Sequence, residues 1–128
     1  MEEPEPAEQA DEPPAPPVQD TRAPTLALLR QSERSAEDGD LEEAIAYVER
    51  AIRLNSRDPA LWLRLARLQL AADRPATAEQ LAHKAVALSG SQGSERREAW
   101  LMVADALEAQ GDDEGAARIR AQWRTYRG

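Results

Sequence analysis

The segment of this 128-residue chain that says most about its structure is Gly39-Asp40-Leu41-Glu42-Glu43-Ala44-Ile45. Asp40 is a favourable N-cap residue, and Glu43 stands three positions later, where a capping box places an acid. Apolar residues then recur at the spacing of one helix face: Leu41, Ala44, Ile45, Val48, Ala51 and Ile52. The segment therefore predicts a turn followed by an amphipathic helix.

Five further helices are predicted around this one, because turn and cap residues divide the rest of the chain into helical segments. These boundaries are Asp38-Gly39-Asp40, Asp58-Pro59, Asp73-Arg74-Pro75, Gly90 to Ser94, and Gly111-Asp112-Asp113. Aspartate followed by proline is typical of a helix start, and glycine of a helix end. Strand alternation is not sustained anywhere, so we expect an all-α fold.

The helix pairs repeat with a period of 34 residues, and the third repeat contains a four-residue insertion, Gly93 to Arg96. Leu28, Trp62 and Trp100 then share the fourth position of each repeat. Smaller or turn residues coincide at the eighth position (Ser32, Ala66, Ala104), the fifteenth (Gly39, Asp73, Gly111), the twentieth (Ala44, Ala78, Ala116) and the twenty-seventh (Ala51, Ala85). Small side chains allow close helix packing, and stacked repeats bury apolar faces that no single pair can bury.

This pattern resembles the tetratricopeptide repeat family over residues 25–127. The resemblance implies six antiparallel helices in three helix-turn-helix repeats, at about residues 25–58, 59–92 and 97–127, forming a right-handed superhelical array. Trp123 departs from the pattern, since the family has a small residue at that position. We therefore expect no fourth repeat.

Residues 1–24 differ in composition, with seven of the nine prolines, seven acidic residues and a single basic residue, Arg22. Such a segment cannot bury enough apolar surface to offset the entropy of ordering it, so a disordered acidic, proline-rich linker is predicted. The remaining residues carry a net charge of only −2. Neither part has the basic character of a nucleic-acid-binding protein, so we expect no nucleic-acid partner.

No catalytic, metal-binding or cofactor-binding constellation is recognisable, and the sequence predicts that the chain is not an enzyme. The single histidine, His83, has no cysteine or second histidine to complete a site, and we expect it to face solvent. The acids of Asp38-Gly39-Asp40 and Asp112-Asp113-Glu114 stand at helix starts, where they satisfy free amides and the helix dipole.

The family resemblance implies that the first helix of each pair lines a concave groove that binds a peptide or helix of a protein partner. The equivalent groove residues are Leu29, Glu33, Leu63, Arg67, Leu70, Leu101, Asp105 and Glu108. They combine an apolar floor with walls of mixed charge, although the same leucines could instead complete the core. Glu33 and Asp105 would repel a carboxylate, so the clamp that some family members use for chaperone tails is not expected.

An alternative partner surface is the C-terminal helix, where Ile119, Trp123 and Tyr126 form an apolar stripe among arginines. Tryptophan, tyrosine and arginine dominate the energetics of many interfaces. The other interpretation is that Trp123 folds back as a cap on the fifth helix.

The order of a proline-rich linker and a short repeat domain resembles the Pseudomonas-type (Lpo) outer-membrane lipoprotein activators of class A penicillin-binding proteins, the bifunctional peptidoglycan synthases. The resemblance implies a monomer that binds such a synthase from the periplasmic face of the bacterial outer membrane, held there by an N-terminal lipid anchor. The lipid-bearing cysteine is absent from this sequence, so Met1 is either a native start or the replacement of a signal peptide. Two alternatives stay open: a passive assembly adaptor of pilus or secretion machinery, and a cytoplasmic location.

Overall fold

The computed structural model describes residues 20–91 and 93–124, and this part of the chain folds into six α-helices without strands. In chain order the helices are α1 (Arg22–Glu37), α2 (Leu41–Leu54), α3 (Pro59–Ala71), α4 (Pro75–Leu88), α5 (Ser94–Ala109) and α6 (Asp113–Trp123). The predicted all-α fold of three helix pairs is confirmed. The predicted linker residues 1–19 lie outside the described residues.

The helix starts follow the predicted capping chemistry. The side chain of Asp40 accepts a hydrogen bond from the Glu43 amide at 3.1 Å, and Asp58 accepts one from the Ala60 amide at 3.0 Å. The capping box of α2 is nevertheless only half formed. The Glu43 carboxylate accepts a hydrogen bond from the Ser35 hydroxyl at 2.9 Å, and the Asp40 amide donates to the Ser35 carbonyl. Ser35 therefore ties the end of α1 to the start of α2.

Each helix packs against its neighbours in sequence, and α3 packs in addition against α5. The core consists of two apolar clusters, one among α1, α2 and α3 and the other among α3, α4 and α5, and Trp62 and Leu81 contact both. The alanines at the twentieth repeat position, Ala44, Ala78 and Ala116, have no exposed surface. The small residues of the repeat therefore lie where the helices approach each other.

Two boundaries differ from those predicted. Helix α1 begins at Arg22 and includes Pro24 in its first turn, where proline is tolerated because that amide has no helical partner. The helical domain therefore starts three residues before the predicted boundary at residue 25. Helix α5 begins at Ser94, the last residue of the predicted loop, so the inserted residues Ser94 to Arg96 lengthen α5 at its start.

The last repeat presents a different outer face from the other two. In α2 and α4 the side chains that meet the next helix pair are apolar and buried: Val48, Ala51 and Ile52 in α2, and Ala82, Ala85 and Val86 in α4. The equivalent positions of the third repeat are Arg120 and Trp123 in α6 and Arg124 directly after it. Charged and bulky residues cannot accept a further helix pair in the same way, and α6 is the last helix of the described residues.

Candidate protein-binding site

The first helices of the three pairs, α1, α3 and α5, lie side by side and form what we call the groove face. Helices α3 and α5 are in direct contact, and an ion pair between Glu33 and Arg64, 3.0 Å apart, spans α1 and α3. All eight residues predicted for the groove belong to these three helices. The repeat register therefore assigned all eight to the first helices of the pairs.

A cleft of about 150 Å³ lies on the groove face between α3 and α5, and we call it the α3–α5 cleft. Its lining residues are Pro59, Ala60, Leu63, Arg64, Arg67, Glu95 and Glu98. Leu63 lies at its base with only 4% of its surface exposed, since the side chain also belongs to the core cluster of α3, α4 and α5. The apolar base is therefore supported from behind by packed core residues.

The walls of the α3–α5 cleft carry opposite charges. The Arg67 guanidinium lies 3.7 Å from the Glu98 carboxylate across the cleft, and about half of each side chain is exposed to solvent. An exposed ion pair of this kind contributes only about 0–1 kcal/mol. Because the pair is weak, a charged group of a partner can replace either member at little energetic cost.

The other predicted leucines of the groove are partly buried rather than exposed. Leu29 packs against the cluster of α1, α2 and α3, Leu70 packs against the cluster of α3, α4 and α5, and Leu101 is partly accessible. Leu26 is more exposed than any of them, with 48% of its surface accessible. It occupies the second repeat position, as do Ala60 and Glu98 in the following repeats.

The sequence interpretation omitted these second-position residues, together with Glu95. The signal for Leu26, Ala60 and Glu98 was available, because a residue three positions before an identified groove residue lies on the same side of a helix. Glu95 lies in the inserted turn of α5, and the repeat register alone gave no reason to place it beside the groove.

Asp105 and Glu108 are held at the C-terminal end of the groove face by one arginine of α6. The Arg120 guanidinium donates to both carboxylates at 2.7 Å. These two hydrogen bonds raise the pKa of Arg120 above its usual value, and the bond to Asp105 has the larger effect. These two acids are thus engaged within the domain, whereas Glu33 and Arg67 form more exposed pairs.

The alternative surface on α6 is mostly occupied by internal contacts. The Trp123 ring stacks on the Trp100 ring with centroids 6.1 Å apart, and Ile119 packs against the core cluster of α3, α4 and α5. Arg97 of α5 donates to the backbone carbonyl of Trp123 at 2.9 Å. Tyr126, the third member of the predicted stripe, lies outside the described residues.

His83 lies on the exposed surface of α4, as the sequence predicted. Its ring meets the Trp100 ring edge-on with centroids 5.6 Å apart, and its Nε2 lies 3.5 Å from the Glu79 carboxylate.

Within residues 20–91 and 93–124, no group of histidine, aspartate and glutamate side chains could hold a metal ion. None of the helices in that same region combines the length and the apolar character that crossing a bilayer requires.

Three stacked helix pairs with an open, charged groove over an apolar base are typical of non-enzymatic protein-interaction modules. The family profile described as tetratricopeptide repeat matches residues 35–95. A solved structure, the globular C-terminal domain of P. aeruginosa LpoP, is 35% identical in sequence. The match covers 80% of this chain and 96% of that domain with a TM-score of 0.76. The chain belongs to the tetratricopeptide repeat family and is similar to the LpoP domain.

Other solved structures share the fold at lower identity. PilW, described as a widely conserved type IV pilus biogenesis factor, is 23% identical, with a TM-score of 0.67 over 77% of this chain and 44% of that one. The N-terminal domain of stress-induced protein-1 from C. elegans is 18% identical, with a TM-score of 0.71 over 84% of this chain and 90% of that one. Comparison with curated protein sequences gives no match.

Proposed function

We propose that this chain is a non-enzymatic activator of a class A penicillin-binding protein, the bifunctional synthase that polymerises and cross-links peptidoglycan. The observation that carries the proposal is the 35% identity to the LpoP C-terminal domain over 96% of that domain. It supports the resemblance to lipoprotein activators that the linker and the repeats suggest. PilW is only 23% identical, so its similarity indicates a shared fold and does not assign a function to this chain.

The groove face is the surface that we propose for the synthase. The α3–α5 cleft offers a supported apolar base, Leu63, between side chains of both charges. Helical grooves of this kind bind amphipathic segments. The apolar residues of such a segment contact the apolar base of the groove, and its charged residues form ion pairs with the side chains of the walls. The weak pair of Arg67 and Glu98 supplies one charge of each sign for such a segment.

We also propose that the full-length protein is a monomeric lipoprotein at the periplasmic face of the outer membrane, with the residues before Arg22 as the spacer. A spacer of 21 residues could reach roughly 65 Å if it were extended. The codons upstream of Met1 test this part of the proposal. An export signal ending in a lipid-acceptor cysteine supports it, whereas initiation at Met1 without such a signal contradicts it and favours a cytoplasmic location.

The activity is tested with a purified class A penicillin-binding protein from the same organism, by following glycan chain formation and peptide cross-linking with and without this chain. If the chain is an activator, at least one of the two rates should rise as the complex forms and should level off once the synthase is saturated with this chain. A passive adaptor binds the synthase, or another envelope protein, and leaves both rates unchanged. Absence of binding contradicts the proposed partner altogether.

A further inference from the structure

A second cleft lies between α1 and α2, in the first helix pair of the array, and we call it the α1–α2 cleft. It has a volume of about 440 Å³ and combines apolar side chains with two arginines: Pro24, Ala27, Leu28 and Gln31 of α1, and Arg50, Arg53 and Leu54 of α2. Leu54 has 41% of its surface exposed. An apolar patch that solvent reaches and that charged groups surround often marks a protein interaction site.

The repeat indicates what this surface of α1 accepts. Ala27 and Gln31 occupy the third and seventh repeat positions, which in α3 hold Leu61 and Leu65. Those two leucines are buried in one cluster with apolar residues of the preceding helix, α2. The equivalent residues of α5 are likewise buried, in a cluster with residues of α4: Ala99 and Val103. In the later pairs this surface therefore receives the second helix of the pair before it.

The two helices that occupy the equivalent position share one apolar pattern. Each presents buried apolar residues at i, i+3 and i+4: Val48, Ala51 and Ile52 in α2, and Ala82, Ala85 and Val86 in α4. Among residues 20–91 and 93–124 no helix precedes α1. The ligand whose shape fits the α1–α2 cleft is therefore an α-helix with an apolar stripe of this spacing.

Two arginines give the α1–α2 cleft a positively charged rim. The Arg50 guanidinium lies over the Tyr47 ring, 5.8 Å from its centroid, and Arg53 is exposed in the last turn of α2. Neither forms an ion pair with a carboxylate of the described residues. Interfaces place charges of opposite sign against each other. The helix that fits this cleft should therefore carry acidic residues beside its apolar stripe.

We propose that the α1–α2 cleft binds an acidic amphipathic helix of a partner protein, which packs on α1 as α2 packs on α3. Gln31 stands where α3 and α5 have apolar residues, and a polar residue on the end of a repeat array keeps that end soluble. The surface therefore suits a partner that binds reversibly. This inference concerns the end of the array and does not depend on which protein binds the groove face.

A second copy of this chain does not offer the required charge. Two copies that met through their α1–α2 clefts would bring Arg50 and Arg53 of both together, and like charges are unfavourable at an interface. The outer side of α6, at the other end of the described array, has a surface whose lining residues include no acid: Ala117, Arg120, Ala121 and Arg124. An acidic helix from another protein complements the cleft better than either end of a second copy.

The test titrates the isotope-labelled full chain with a synthetic, side-chain-stapled helix of about four turns. The peptide carries leucine and alanine at the spacing given above and glutamate on both flanks, and a second peptide has lysine in place of every glutamate. The acidic peptide should shift the amide signals of Ala27, Gln31 and Leu54 more than those of Leu29 and Arg67 on the groove face. The lysine peptide should bind about tenfold or more weakly, because its charges face arginines.

Three variants separate the cleft from general charge effects. Arg50→Glu plus Arg53→Glu should reverse the preference, so that the lysine peptide binds more tightly. The matched control, Arg30→Glu plus Arg118→Glu, reverses two exposed charges that do not line the cleft and should keep the native preference. Ala27→Gln retains both rim arginines and a residue that favours helix, and should weaken binding of the acidic peptide because the longer side chain fills the cleft.

Four results would overturn the proposal. Equal affinity of the native chain for the two peptides, or the same reversal in the control variant, would show that the rim arginines do not select the ligand. Signals of Ala27 and Leu54 that do not respond to the acidic peptide would show that it binds elsewhere, whether the cleft is then empty or covered by another part of this chain. Signals there that shift when the native chain alone is diluted would show that a second copy occupies the cleft.

Discussion

The indole of Trp123 stacks on the indole of Trp100, with the ring centroids 6.1 Å apart and the ring planes 12° from parallel. Trp123 occupies the repeat position that holds Ala51 and Ala85 in the earlier pairs, where the alanine admits the next helix pair. In the third pair no further helix pair follows among the described residues, and the large ring of Trp123 covers Trp100 instead. The residue that departs from the repeat pattern is thus the one whose ring covers Trp100.

Replacing this ring should destabilise the domain. Trp123→Ala removes the stacking contact and part of the apolar cover of α5, with an expected loss of about 1–3 kcal/mol in the free energy of unfolding. The measurement is chemical denaturation followed by circular dichroism. Gln122→Ala, on the exposed side of the same helix, is the control and should have little effect. An unchanged stability combined with loss of synthase binding would instead identify α6 as the interface.

The groove face can be tested through Arg67, whose side chain is half exposed. Arg67→Glu places a second acid opposite Glu98 and should weaken synthase binding by about tenfold or more, as expected for an interface residue worth more than 1 kcal/mol. Arg57→Glu, in the exposed turn between α2 and α3, is the charge-matched control. Equal binding by the two variants would contradict the assignment of the groove. Leu63 is unsuitable for this purpose, because a charge at a core position unfolds the protein.

The small residues at the helix contacts predict a strong dependence on side-chain size. Ala78 has no exposed surface, so Ala78→Leu overpacks the contact between α3 and α4 and should cost about 1–3 kcal/mol of stability. Ala87→Leu, at an exposed position of the same helix, is the matched control and should be nearly neutral. Equal effects of the two substitutions would mean that the helices do not approach as closely as the repeat requires.

The turn between α3 and α4 carries a backbone conformation that favours glycine. Asp73 has a φ of +64°, whereas the equivalent turn residues of the other repeats are Gly39 and Gly111, with φ of +83° and +92°. Left-handed backbone costs an L-residue roughly 1–2 kcal/mol, and less for aspartate. Asp73→Gly should therefore leave the melting temperature equal or higher, and Gly39→Ala should lower it. A marked loss of stability in Asp73→Gly would show that the aspartate side chain stabilises the turn.

Much of this architecture follows from local chemistry that the sequence displays directly. Asp40, Asp58 and Asp112 cap helices because a carboxylate next to free amides forms the same hydrogen bonds in any context. The apolar period from Leu41 to Ile52 and the alanines of the repeat likewise determine which helix sides become buried. These features depend on residues close together in the chain, so they could be predicted without knowledge of the fold.

The details of the candidate surfaces depend on contacts between residues far apart in sequence. The packing of α3, α4 and α5 buries Leu63, and the contact of α3 with α5 brings Arg67 to Glu98. Arg120 meets Asp105 and Glu108 only because α6 packs against α5. The sequence by itself determined the helices, their caps and the repeat, because these are local. The tertiary structure alone decided which side chains became core, which formed ion pairs and which clefts stayed open, since that depends on how the helices meet.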